Sequence, residues 1–151
     1  MKIGDLVEDF ELPDENGEMR SLTGLLAEGP VVLFFYPAAL TPGCTAEACH
    51  FRDLAAEFRA AGGRPVGVSG DSVARQQEFS GRHTLGYPLL SDPEGGVRER
   101  FGVKRGLTVL PTKRATFVIG TDRRVVEIVR SELRMSAHAD RALAALRGLS
   151  A

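Results

Sequence analysis

The sequence predicts an α/β domain in which a central mixed sheet is flanked by helices and preceded by an N-terminal β-hairpin extension. Two observations carry that prediction. The runs "PVVLFFYP" and "RPVGVSG" are continuous and apolar, as strands buried on both faces are, and a stretch of helical period separates them. That is a βαβ unit, whose crossover should be right-handed. Nearer the C-terminus, "ATFVIG" and "VVEIVR" flank the turn "TDRR" as an antiparallel hairpin, so the sheet should hold both strand directions.

Taken in order, "FELPDENGEMRSL" reads as a hairpin turned at Asn16-Gly17. The strand "PVVLFFYP" follows. Ala48, Phe51, Leu54, Ala55 and Phe58 then recur at helical spacing, with Glu47, Arg52, Asp53, Glu57 and Arg59 between them, until Gly62-Gly63 stops the helix. After "RPVGVSG" come a helix over 72–82, a short strand in "YPLLSD", and a helix opened by Asp92 as cap and Pro93 as first residue. The terminal hairpin is followed by a helix from Ser136 to Gly148. This succession, βαβ, an inserted helix and strand, then ββα, is the element order of a thioredoxin-like fold with an N-terminal extension.

With 151 residues, 43% of them hydrophobic, and a formal net charge of -1, the chain suits one globular domain over 1–151. The near-neutral balance predicts neither nucleic acid nor membrane as a partner. Acidic residues in "MKIGDLVEDFELPDENG" occupy the place of a secretory apolar region, and no stretch approaches a membrane span, so a cytoplasmic protein is expected. In that compartment thiols stay reduced, which makes two closely spaced cysteines reactive or metal-binding groups rather than a staple.

Both cysteines, Cys44 and Cys49, fall in "YPAALTPGCTAEAC". Thr41 is suited to cap the helix and Pro42 to open it, which puts Cys44 at the third helical position, where a capping box would carry a carboxylate. A thiolate there gains typically ~0.3–1 and at most ~2 kcal/mol from the helix dipole. A second positive group is needed for a fully formed nucleophile. Cys44 extends the inward line of Ala48, Phe51, Ala55 and Phe58, whereas Cys49 is rotated about 140° from it. Their Cα atoms lie roughly 8.5 Å apart in an intact helix, beyond the ~7 Å that a disulfide spans, so pairing requires the helix start to unwind.

"FFYPAALTPGCTAEACHFRD" closely resembles the active-site segment of peroxiredoxins of the bacterioferritin-comigratory, or Q-type, subfamily, whose pattern is Pro-x-x-x-Thr-x-x-Cys with a resolving cysteine five residues later. Pro37, Thr41, Cys44 and Cys49 fill those places, and the resemblance continues through "YPLLSD", "FGV" and "KRATFVI". It implies that Cys44 is the peroxidatic cysteine, Thr41 a hydroxyl bonded to thiolate and peroxide, Arg114 the active-site arginine and Glu47 its carboxylate partner. Arg114 would then be the second charge. The implied reaction is reduction of hydrogen peroxide and organic hydroperoxides through a Cys44 sulfenic acid, resolved by Cys49 as an intramolecular disulfide and recycled by thioredoxin or a similar dithiol reductant. A monomer is the family-type expectation, and no cofactor or metal is required.

One departure from many relatives is the apolar "AAL" before Thr41. Ala38, Ala39 and Leu40, with Leu107, Val109 and Leu110, would make an approach suited to bulkier hydroperoxides. Other readings stand beside these. Thr41 reads as a cap and a donor together, Arg114 is equally placed to be an exposed strand-edge charge, and His50, His83 and His138 read as structural or surface residues. A dithiol reductase normally uses Cys-x-x-Cys, a narrower spacing than this one. A redox sensor or binding module using the same disulfide would consume a single equivalent of peroxide where an enzyme consumes many.

Overall fold

The computed structural model describes residues 1–105 and 112–150. In chain order its elements are β1 (Glu11–Pro13), β2 (Met19–Ser21), α1 (Leu22–Leu26), β3 (Val31–Phe35), α2 (Pro42–Asp53), α3 (Ala55–Ala60) and β4 (Arg64–Ser69), followed by α4 (Val73–His83), β5 (Leu89–Ser91), α5 (Gly96–Arg100), β6 (Ala115–Ile119), β7 (Val125–Arg130) and α6 (Met135–Ser150). Strands β1 and β2 form the expected separate hairpin, and the other five make one sheet in the order β5-β4-β3-β6-β7. Strand β3 pairs in parallel with β4 and antiparallel with β6, so the sheet is mixed.

The apolar run of β3 is explained by burial on both sides. Val31, Leu33 and Phe35 join a core beneath the N-terminal segment, α1 and α5, whereas Val32 and Phe34 join a second core under α2, α3 and α6. In that second core Phe34 stacks on Phe51 at 4.3 Å between ring centroids, and Phe51 meets Phe58 at 5.7 Å. Each fully buried aromatic ring of this kind contributes about 1.5–3 kcal/mol. The helix that carries both cysteines is therefore tied to the central strand by the Phe51 ring in its C-terminal half.

Three local features differ from the sequence reading. The single helix expected up to Gly62-Gly63 is two, because Leu54 takes φ -97 and ψ 15 and its N–H is shared between the His50 and Phe51 carbonyls. The tightened turn ends α2 and starts α3. The helix after β5 does not open at Asp92-Pro93: Pro93 and Glu94 belong to a turn, Gly95 at φ 80 is the cap, and α5 starts at Gly96. Asp92 still serves the helix start from a distance, its carboxylate accepting the N–H of Arg98 at 3.0 Å and of Val97 at 3.4 Å. The same carboxylate pairs with the buried Arg98 guanidinium at 3.1 Å, and Arg98 reaches Thr112 at 3.1 Å. Helix α1, five residues capped by Ser21, was not anticipated because it is too short to show a period.

Candidate active site

Helix α2 begins where the loop leaving β3 turns back over the sheet. Pro37, buried after Tyr36, lies just beyond the last residue of β3, where a residue without an N–H ends the ladder. The loop is fixed from outside. The Ala39 N–H donates to the Asp71 carboxylate at 2.7 Å, and Arg75 donates to the Ala39 carbonyl at 3.2 Å. Asp71 is itself held by the Ser69 hydroxyl at 2.7 Å, at the end of β4. Leu40 sits at φ 67, a left-handed conformation that costs a residue with a Cβ roughly 1–2 kcal/mol, so the two anchors at Ala39 hold a strained turn in place.

That turn alters the reading of Thr41. Thr41 is the N-cap by backbone, its carbonyl accepting the Thr45 N–H at 2.8 Å, but its side chain makes no capping bond. The hydroxyl instead donates to the Ala38 carbonyl at 2.8 Å. Its one hydrogen is committed there, so in this conformation the oxygen has only lone pairs to offer a neighbour. The combined cap and donor role expected from sequence does not hold. Ala39 also departs from expectation, being fully buried rather than lining an approach, while Ala38 and Leu40 are half-buried. Leu107, Val109 and Leu110 lie outside the described residues.

Cys44, at the third position of α2, is 1% exposed and packs with the core that contains Ala48 and Phe51. Arg114 reaches it from the entrance of β6: Nη2 donates to Cys44 Sγ at 3.2 Å and Nη1 to Glu47 Oε1 at 2.7 Å. With 7% exposure, Arg114 is not a strand-edge charge. Burial opposes its positive charge, and Glu47 and the Cys44 sulfur outweigh that, so its pKa is raised above the ordinary arginine value. Its backbone is pinned as well, since the Arg114 N–H donates to Glu132 at 3.0 Å. Both thiols are free, and Cys49, half-buried, sits on the same unbroken helix as Cys44.

A histidine lies beside the Arg114–Glu47 pair. His138 of α6, expected from sequence to be structural or surface, is fully buried, with Nε2 2.7 Å from the Ser131 carbonyl and Nδ1 2.8 Å from the Thr116 hydroxyl. Nδ1 also lies 3.7 Å from Glu47 Oε2, a buried oxygen without a hydrogen-bond partner among the described residues. Burial pushes Glu47 up to about 7, against the pull of Arg114, and pushes His138 down, against the bond to Ser131. A lone histidine in an Ala-rich helix gives no pattern by which to find it. His50 meets Asp140 at 2.8 Å near the surface and His83 packs edge-on to Phe79, both apart from this cluster. Among the described residues no group of three or more His, Cys, Asp or Glu is placed to hold a metal ion.

A buried sulfur at a helix start, bonded to a guanidinium that a carboxylate orients, is a device for stabilising a thiolate in a dry site. Comparison with known proteins points the same way. A family model, AhpC/TSA family, matches residues 3–128. The crystal structure of peroxidoxin BcpB from Mycobacterium tuberculosis is similar with a TM-score of 0.95 at 58% identity, over 99% of this chain and 98% of that one. A crystal structure of the Xanthomonas campestris bacterioferritin comigratory protein, studied for its alkyl peroxide reduction activity, is similar with a TM-score of 0.85 at 33% identity, over 94% of this chain and 92% of that one. Chloroplastic peroxiredoxin Q of Arabidopsis thaliana is 39% identical over 140 residues, 93% of this chain and 64% of its own length.

Two expectations follow from this geometry. Asp71→Ala removes the acceptor for the Ala39 N–H and frees the strained turn, and it should slow the first oxidation of Cys44 about ten- to a hundred-fold, with Asp71→Asn closer to wild type. Stopped-flow oxidation decides this, and equal rates in all three proteins would show that the turn holds without the anchor. From the ordinary value of 4.5 up to about 7 the folded chain retains a proton on Glu47 that the unfolded chain releases. The stabilisation from this group is therefore full below 4.5 and is lost as pH rises to about 7, while His138, pushed down, acts in the opposite sense. Glu47→Gln should remove the Glu47 part of that fall, seen as a smaller drop in Tm than wild type between pH 4.5 and 7.

Proposed function

The chain belongs to the AhpC/TSA family, in the bacterioferritin-comigratory or Q-type branch of the peroxiredoxins, and on that premise we propose that it is a peroxidase in which Cys44 attacks, Cys49 resolves and Arg114 supplies the fixed charge. The observation that carries the assignment is the 3.2 Å bond from Arg114 to the buried Cys44 sulfur at the start of α2. The Cys44 thiolate attacks one peroxide oxygen, the O–O bond breaks, and the other oxygen leaves as alkoxide or hydroxide and takes up a proton. Sulfur becomes sulfenic acid. Arg114 stabilises the negative charge as it passes from sulfur to the leaving oxygen, because its donors are fixed before reaction. The Thr41 oxygen has lone pairs to receive the peroxide O–H, and Pro37 with the Asp71 anchor holds the loop that carries it.

Cys49 thiolate then displaces water from the sulfenic acid to give an intramolecular disulfide, and a thioredoxin-like dithiol restores both thiols by exchange. Since one chain holds both cysteines, the cycle needs no second copy, consistent with a monomer in a reducing cytoplasm. The half-buried Ala38 and Leu40 beside Thr41, together with the alkyl peroxide activity of the Xanthomonas relative, favour organic hydroperoxides. Redox sensing is the weaker reading, because the relatives over nearly the full length of the chain are named as peroxiredoxins.

Coupled turnover with several hydroperoxides tests this directly. Wild type should consume many equivalents, with higher kcat/KM for an organic hydroperoxide than for hydrogen peroxide. Cys44→Ser should abolish consumption, Cys49→Ser should stop after sulfenic acid, and Arg114→Ala should slow the first oxidation by about 100-fold or more. Activity in Cys44→Ser would reject Cys44 as the nucleophile.

The helix itself yields a second test. In the reduced form the first turns of α2 are held by Arg114 on Glu47 and by the buried Tyr87 hydroxyl, which donates to the Ala48 carbonyl at 2.7 Å. Disulfide formation has to break these. Amide exchange should show protection lost over residues 44–50 in the disulfide form, and retained in α3 beyond the break at Leu54. Equal protection in both forms, with the disulfide verified by mass, would sink the unwinding step.

A further inference from the structure

One guanidinium serves two acids in this site. Arg114 bonds Cys44 through Nη2 and Glu47 through Nη1, and both partners are essentially without solvent exposure. If both ionise, the pocket holds two negative charges against one positive charge, and each weakens the hold of Arg114 on the other. The second carboxylate oxygen, Glu47 Oε2, is buried and receives no hydrogen bond, a costly state for a charged atom and a tolerable one for a protonated carboxyl. Within 3.7 Å of it stands His138 Nδ1.

The state of His138 is legible from its partners. Nε2 faces the Ser131 carbonyl at 2.7 Å, which can only accept, so Nε2 carries a hydrogen. Nδ1, 2.8 Å from the Thr116 hydroxyl, accepts from it when the ring is neutral and donates to it when the ring is charged. A single proton therefore has two places near Glu47: on the carboxyl, beside a neutral imidazole, or on Nδ1, as an imidazolium beside a carboxylate. Either placement leaves the Glu47–His138 pair neutral.

We propose that His138 is a positioning residue for the thiol site, holding one proton jointly with Glu47 so that the charge of Arg114 is turned toward Cys44. The inference rests on Cys44 as the attacking thiol. Ionising the thiol then moves a proton onto the pair instead of into solvent. Once the thiolate has become sulfenic acid, Arg114 loses one of its two anionic partners and pairs fully with Glu47, and the pair releases its proton. The count matches the reaction, in which the departing alkoxide takes one proton up. Burial pushes Glu47 up to about 7, which brings its proton into contest near neutrality, and pushes His138 down, which favours a neutral ring beside the protonated carboxyl. Other charges facing them do not supply a second cation for Glu47: Glu132 raises it further, while on His138 Arg114 and then Arg141 oppose the charge and Glu132 favours it.

Infrared titration of the protonated carboxyl, assigned by its loss in Glu47→Gln, tests the proposal without turnover. In reduced wild type the Glu47 band should persist to higher pH than in Cys44→Ser, where no thiolate competes for Arg114, by about one pH unit or more. His138→Gln keeps a donor for the Ser131 carbonyl but has no titrating nitrogen, and it should move the midpoint down by a few tenths of a pH unit, about 0.3 for an equally shared proton, with the pH profile of peroxide oxidation displaced in step. His138→Asn, which keeps an acceptor at the δ position, serves where the glutamine variant does not fold. Identical midpoints in reduced wild type and Cys44→Ser would overturn the coupling, and a wild-type midpoint in a folded His138 variant would reduce the histidine to packing. Peroxide turnover by Cys44→Ser would instead strike the underlying assignment of the nucleophile.

Discussion

The buried guanidinium of Arg114, bonded to sulfur on one side and carboxylate on the other, is the feature that the surrounding architecture has to hold in place. Taking one charged side chain out of water carries an effective penalty of several kcal/mol, and a single partner offsets it only with good geometry and further hydrogen bonds. Arg114 meets that condition through placement by unrelated elements. Glu47 comes from the first turns of α2, and Glu132 after β7 fixes the Arg114 backbone. The antiparallel pairing of β6 with β3 sets the height of the arginine above the sheet, since Ala115, next to it, is paired with Phe35. The five-stranded order is thus what brings residue 114 to residue 44.

The helix that presents the thiol is built to be firm at one end and releasable at the other. Its far half is fixed by Phe51, which packs between Phe34 of β3 and Phe58 of α3, and the break at Leu54 separates it from α3. Its near half has no side-chain cap and begins with Pro42 and Gly43, after a loop whose strain is concentrated at Leu40. What binds those first turns is the polar contact of Glu47 and the Tyr87 hydroxyl on Ala48, besides burial of the sulfur itself. Polar clamps of this kind are worth about 0.5–1.5 kcal/mol each when neutral and about 1.5–3 when charged, so opening costs far less than global unfolding. In the proposed cycle, a reactive thiol is thereby enclosed for attack and still accessible to Cys49.

Much of this was legible in the sequence where one physical cause dominates. Strand β3 announces itself because burial on both faces leaves no polar position, and the inward face of Cys44 follows from helical phase alone. Arg114 was reachable only through family resemblance, because nothing local distinguishes a buried arginine from Arg124 or Arg130, which are exposed. The misreadings at Thr41 and Asp92 and the unforeseen neighbours of His138 share a cause. Thr41, Asp92 and His138 are polar residues whose partners are decided by tertiary geometry: a left-handed Leu40 turns the Ala38 carbonyl under Thr41, a glycine shifts the start of α5 away from Asp92, and α6 happens to lay His138 beside Glu47. Short-range rules for caps assign such side chains their nearest backbone partner, and here a different partner wins.

The unsatisfied atoms of the site belong to the same logic. Glu47 Oε2 and Arg114 Nε are both buried without a hydrogen-bond partner among the described residues, and a buried polar group left in that state costs roughly 1–3 kcal/mol. A core selected for stability alone would fill or remove them. Here a further donor on Glu47 would stabilise its ionised form, and an ionised Glu47 takes from Cys44 part of the charge that Arg114 offers. A further acceptor on Arg114 would divide that charge again. Leaving both atoms bare keeps the number of anions that one guanidinium serves as small as possible, and it is the sulfur that gains.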